Sequence, residues 1–341
     1  MTRDAASAPD RGTRVLRDNR DSLVTVTARA FVAPVRVLPE LRHPDRNGRL
    51  RTLPGNGGVS IGVHVGDLVG SAMTADHLMP GACLESDPAS PAAVGDVHLL
   101  SCLGNPVFDS AGRPIGVVAG KRGGLAPGFW APTHLAVDLF ESAEACLAPG
   151  DSVAVRTRGR GLTLTDQPAV QVFNCDPALL DHMALTVRGH RIEARVRALV
   201  HAGWAAAGLG QDPWIGDLEV SDIDLLPSDV RFGDLIAFTD LDAAADRSYR
   251  NGYVAIGSVS HGPSARPGHG VGVTILIGGP ASQLTAVLDT VAPPSIAPAP
   301  FAPAPFAPAS IASPSIPRAS IAAGLARIAD ALAQRHLAAG A

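Results

Sequence analysis

Imidazole and carboxylate side chains stand together at several glycine-rich points of the chain, and these groups are the usual protein ligands of zinc, iron and manganese. The candidates are the pair Asp76-His77, the carboxylates Asp240 and Asp242, and the imidazoles His261 and His269. Three or four such groups around one divalent metal, with a position left open, lower the pKa of a bound water to about 7 and make it a nucleophile for amides or esters. In this reading His77, His261, His269 and Asp242 are ligands and Asp76 or Asp240 is ligand or base. Lys121 or Tyr249 would donate to a developing oxyanion. The stretch SHGPSARPGHGVG at 260–272 sets glycine beside both histidines, which lets backbone approach a ligand closely. The ligands come from separate loops, unlike an HExxH helix, so the same residues read equally as groups that hydrogen-bond turns. Asp240 and Asp242 read alternatively as a solvated strand end beside Asp246-Arg247.

Other chemistries find less support. Lys121 in GVVAGKRGG lacks the following Ser or Thr of a phosphate-binding P-loop, which leaves only a weak anion-holding role. GNGG and GHGVG lead into strands, so no dinucleotide fingerprint is present and no organic cofactor is expected. Cys102 and Cys175 could act as nucleophiles only beside a histidine in space, and a buried inert thiol is the commoner state. Ser260 and His261 are neighbours on a strand and point to opposite faces, and no GxSxG elbow occurs. The four cysteines form no CxxC pair, which argues against a zinc ribbon or a disulfide framework.

The elements that position these residues read as mainly β. Of 341 residues 46% are hydrophobic and 4% aromatic, with 36 Gly and 29 Pro, a balance suited to short strands and tight turns. Alternation marks strands from Ser22 to Leu38 and again after LPGNGG at 53–58. Gly-Asp corners recur at 66–67, 95–96, 150–151, 216–217 and 233–234, each before an apolar run, the pattern of a barrel or sandwich assembled from short strands. Helices are expected only at Pro177–Met183 and Arg191–Ala207, the second from the spacing of Ile192, Val196, Leu199 and Val200. The chain divides into an arm (1–19), an N-terminal β-rich part (20–175), a C-terminal β-rich part with a helix (176–290), a Pro/Ala linker (291–319) and an amphipathic helix (320–340). Net charge is -4 with signs interspersed, which excludes a nucleic-acid or anionic-membrane surface. With no signal-like N-terminus and no apolar run of spanning length, a cytoplasmic location is expected.

Three sets of motifs carry a resemblance: LPGNGGV with ADHLMPG, LLSCLGN with GVVAGKRGG, and RFGDLIAFTDLD with RSYRNGYVAIGSVSHG and PGHGVGVT. In this order they resemble the family catalogued as domain of unknown function 4438, over about residues 15–285. The resemblance implies a multi-part, mainly β fold and brings no activity with it; Val271 stands where the pattern leads one to expect Pro. Pro-rich spacer followed by terminal helix resembles, in architecture, the encapsulation peptides that load cargo into bacterial microcompartments. Ile321, Leu325, Ile328 and Leu332 form the helix's one apolar stripe, which wants a surface: a shell protein, a second tail or the chain's own core. Two functions follow from the sequence. One is a metal-assisted hydrolase of a small polar amide or ureido compound, placed in the cytoplasm or a microcompartment lumen. The other is a non-catalytic small-ligand-binding or scaffold protein recruited through its terminal helix.

Overall fold

The computed structural model describes residues 16–35, 47–48, 57–70, 76–87, 96–123, 133–183, 185–244, 246–264, 269–289, 325–328 and 330–332. The fold is mainly β, as the alternating patterns imply. Its first half contains β1 (Val26–Val32), β2 (Val59–Ser60), β3 (Gly81–Glu85), β4 (Pro106–Phe108), β5 (Pro114–Arg122), β6 (His134–Leu139) and β7 (Ser152–Thr157). These pair antiparallel in the order β1-β7-β4-β5-β6-β3, and β3 pairs back to β1, so six strands close into a barrel with β2 appended. Closure leaves no free edge among the six. The inward set of β1, Ala28, Ala30 and Val32, alternates with outward residues, as period-two packing requires.

The second half contains β8 (Gln171–Val172), β9 (Leu185–Arg188), β10 (Arg191–Val196), β11 (Ala198–His201), β12 (Leu218–Val220), β13 (Leu235–Asp242), β14 (Ser248–His261), β15 (Val271–Pro280) and β16 (Leu284–Leu288). One sheet runs β11-β13-β14-β15-β12, with β8 also on β15; β16-β10-β9 form another. The expected helix over Arg191–Ala207 is therefore wrong. Ile192, Ala194 and Val196, then Ala198, Val200 and Ala202, point inward with period two, while Leu199, needed for a helical stripe, is 44% exposed. Pro177–Leu180 does form a short helix, capped by the Asp176 carboxylate on the Ala178 amide. The corner at Asp96 opens a helix, Asp96–Leu100, in place of the expected strand. The other four corners place Gly at positive φ before a turn or strand.

The two halves share a core. One apolar cluster draws Val107, Val118 and Leu135 from the barrel and Ile192, Leu235, Ile277 and Leu284 from the second half. The seam is tight where β5 meets β14: a Cβ on Gly120 would lie 2.4 Å from Ser260 Cβ. There the Lys121 amide donates to Thr274 Oγ1 at 2.9 Å, which fixes the end of β5 against β15.

The terminal helix finds its surface on this same core. Residues 325–328 and 330–332 are helical, Leu325 is 1% exposed, and Ile328 and Leu332 pack on the shared apolar cluster. Ile321 and the Pro/Ala linker lie outside the described residues. No described helix is long and apolar enough to cross a membrane. Leu325→Ala in a fixed core would cost about 2 to 5 kcal/mol, but the helix can leave, so the loss is capped at its free energy of docking. A loss of about 2 kcal/mol would lower the thermal midpoint by roughly 4 to 8 °C. An unchanged midpoint by differential scanning calorimetry would show that the docked helix adds nothing to stability.

Candidate metal centre

The site begins with a glycine in the middle of a sheet. Gly272 on β15 is paired on one side with Glu219 of β12 and on the other with His261 of β14. Cross-strand partners project from the same face, so Glu219 and His261 lean toward each other over a position that has no side chain. A Cβ at Gly272 would lie 2.0 Å from His261 Nε2; the imidazole fills the space that the glycine leaves. A bulge between Val259 and His261 sets this register, since a regular ladder would have placed His261 opposite Val271.

Asp217 precedes Glu219 by two residues and projects to the same side. Its Oδ2 lies 2.7 Å from His261 Nε2, and its Oδ1 accepts the Gly123 amide at 2.8 Å. The loop that carries Asp217 is held from below by Arg247, whose guanidinium donates to the carbonyls of Ile215 at 2.6 Å and Gly216 at 3.0 Å, and to that of Asp217 itself. Gly216 donates its amide to His98 Nε2 at 2.9 Å. Burial disfavours charge on both members of the pair, yet their mutual attraction wins. It raises the His261 pKa above the usual imidazole value and holds Asp217 below the usual carboxylate range.

His77 enters from the barrel side on a turn with φ +50°. Asp76, beside it, accepts the Ser264 hydroxyl, which ties this turn to the chain just after β14. Gly262 donates its amide to the Leu78 carbonyl at 2.8 Å, a second tie. The result is an approach of 3.2 Å between His77 Nδ1 and His261 Nδ1, with both rings buried. Burial and the nearby Arg122 charge push the His77 pKa well down, so this imidazole is neutral at neutral pH. Glu219 Oε1 lies 4.0 Å from His77 Nε2, and its Oε2 accepts the Gly270 amide at 3.1 Å. His269 Nδ1 is 3.2 Å from Glu219 Oε2 and its ring centroid 5.7 Å from that of His77; at 33% exposure it forms the solvent edge of the cluster.

This geometry fits a divalent cation. Two nitrogens bound to one tetrahedral zinc at roughly 2.0 to 2.1 Å sit about 3.3 Å apart, and ligand atoms of His77, Glu219 and His261 lie within 4.8 Å of one another. His261 with Nε2 on a carboxylate and Nδ1 turned to the cluster is the arrangement in which a second-shell acid fixes a ligand's tautomer. His261 Nδ1 also lies 2.8 Å from the Gly262 carbonyl, a contact that a metal on this nitrogen would displace.

Of the residues picked out by sequence, His77, His261 and His269 converge, with Asp76 beside them. Asp242, Asp240 and Tyr249 do not. They sit at the far end of β14 and its partner, since Asp242 pairs with Ser248 while His261 ends the 14-residue strand, roughly 40 Å away at full extension. Asp242 there is buried and receives Arg250 at 2.8 Å, so the strand end is paired with arginine but is not solvated, and Arg247 turns instead to the 215–217 loop. Asp240 lies 3.4 Å from His201, and the exposed Tyr249 ring lies 5.8 Å from that imidazole, tilted by 59°. Lys121 is one residue from Arg122 but sends Nζ to the Trp214 carbonyl at 3.0 Å. Asp217, Glu219 and Arg122 were missed. The signal for the first two was present: the Gly216-Asp217 corner followed by Glu219 puts two carboxylates on one face of a strand.

Two variants test this description. Gly272→Ala drives a methyl group into the His261 ring and should abolish the Asp217 contact; a His261 NMR titration unchanged from the parent would refute the packing. Burial pulls the Lys121 amine from 10.5 down to about 7. A folded value below the unfolded one means that the folded state binds fewer protons, so this group's penalty is complete below about pH 7 and fades as pH rises toward the unfolded value. Lys121→Met should thus raise the thermal midpoint more at about pH 6 than at about pH 9, and equal gains would refute the burial argument.

Comparison with known proteins places the chain without naming an activity. Similarity to the solved structure titled "Crystal structure of TM1086" is extensive: TM-score 0.74 and 29% identity, covering 82% of this chain and 98% of that one. No curated protein matches the chain. Residues 43–181 match the domain of unknown function DUF4438, N-terminal, and residues 182–293 match its C-terminal counterpart. The chain belongs to the DUF4438 family.

Proposed function

We propose that this protein is a metal-dependent hydrolase of a small polar amide or ureido compound, with His77, His261 and Glu219 as ligands of a zinc, iron or manganese ion. The observation that carries the reading is the 3.2 Å approach of the His77 and His261 Nδ1 atoms, with the other His261 nitrogen on Asp217. A divalent cation at this place would supply Lewis acidity toward a carbonyl oxygen and toward water. The chain's own groups have separate tasks. Asp217 orients His261 and stabilises its charged form when no metal is bound. Glu219 presents one oxygen toward His77, and its other is held by the Gly270 amide. His269, at the solvent edge, turns Nδ1 toward Glu219 Oε2, which suits it to pass a proton to or from the cluster.

The non-catalytic reading draws on a different feature, the burial of His77 and His261. Under it, the two imidazoles, Asp217 and the Gly262 carbonyl form a polar knot that joins the halves. Recruitment to a shell protein or to a second copy through residues 320–340 would require the helix to leave the core that covers Leu325.

Metal analysis separates these readings. Purified without chelator, the parent should carry about one equivalent of zinc, iron or manganese per chain by mass spectrometry of the elements. His77→Ala and Glu219→Gln should bind it at least tenfold more weakly, and release of amine from a panel of amides and ureido compounds should follow metal content. Folded protein that takes up no metal on reconstitution would reject the hydrolase and leave the polar knot.

A further inference from the structure

Arg122 ends β5 and is the register partner of His134 on the neighbouring strand β6. Arg122 is only 6% exposed, and its Nε and Nη1 are buried and make no hydrogen bond. Among the described residues no carboxylate lies within ion-pair distance of it. Asp217 is near enough to feel its charge, but both Asp217 oxygens are engaged, Oδ1 by the Gly123 amide and Oδ2 by His261. An arginine stripped of water without acceptors is costly in a folded protein. The cost makes sense where a ligand supplies the acceptors. The next residue, Gly123, donates its amide to Asp217, whose other oxygen holds His261, so the end of β5 that carries Arg122 lies beside the histidine cluster.

Resting on the hydrolase reading, we propose that Arg122 receives a carboxylate carried by the substrate, which makes the substrate class an amide or ureido compound with a free carboxylate. The scissile carbonyl would lie at His77, His261 and Glu219, with the carboxylate on the Arg122 side. Arginine is suited to this task because its charge persists when it is buried and its planar donors match a carboxylate.

The test uses two probes that differ only in that group, N-acetylglycine and N-acetylglycinamide, titrated calorimetrically into the full-length protein. Metal content is measured on the same samples. The parent should bind the carboxylate at least tenfold more tightly than the amide, and the preference should fall to about one in Arg122→Gln and to an intermediate value in Arg122→Lys, at unchanged metal content. Equal or undetectable binding of both probes by the parent would overturn the proposal, as would a preference that survives in Arg122→Gln. Should Arg122→Gln fail to fold, an unaltered preference in folded Arg122→Lys counts against the proposal and a reduced one for it. An Arg122-dependent preference in protein that binds no metal would uphold the carboxylate site and reject only the hydrolase reading.

Discussion

The contact between His261 and Asp217 is the interaction on which the site depends. A buried ion pair gains little net stability, because taking two charges out of water costs nearly as much as their attraction returns. What this one supplies is geometry. It turns one imidazole nitrogen away from the cluster and leaves the other facing His77. The surrounding chain is arranged to keep it so: Gly272 makes room for the ring, a bulge in β14 aims it, and Gly123 and Arg247 hold the carboxylate and its loop.

Neither half of the protein contains the site alone. The barrel contributes Arg122, Gly123 and, on the turn before β3, His77; the second half contributes Asp217, Glu219, His261 and His269. The family's N- and C-terminal domains meet at residues 181 and 182, so β8, which pairs with β15 of the second half, lies within the N-terminal one. A shared apolar core and the close packing of Gly120 on Ser260 lock them, so a few tenths of an ångström at the seam decide whether His77 and His261 can share a ligand.

Much of the fold was legible in residues 26–32 and in four of the five Gly-Asp corners, because alternation and positive-φ glycines are local signals. The helix expected over Arg191–Ala207 shows the limit: Ile192, Val196 and Val200 satisfy periods of both two and nearly four, and only pairing of Arg191–Val196 with β9 and β16 decides between them. His77, His261 and His269 were legible as residue types with glycine neighbours. Glu219 became a partner only through the registers of β12 and β14 on β15, and Arg122 only through the seam. Asp240 and Asp242 share a strand pair with His261 but lie at its other end, a distance that no spacing rule in the sequence reports.

The most direct test is a crystal of the full chain soaked in zinc, with anomalous diffraction recorded at the zinc edge. The account predicts one strong peak beside the Nδ1 atoms of His77 and His261, about 2.0 to 2.1 Å from each, with Glu219 as the third protein ligand. A soaked crystal with no anomalous peak beside those two nitrogens would contradict it.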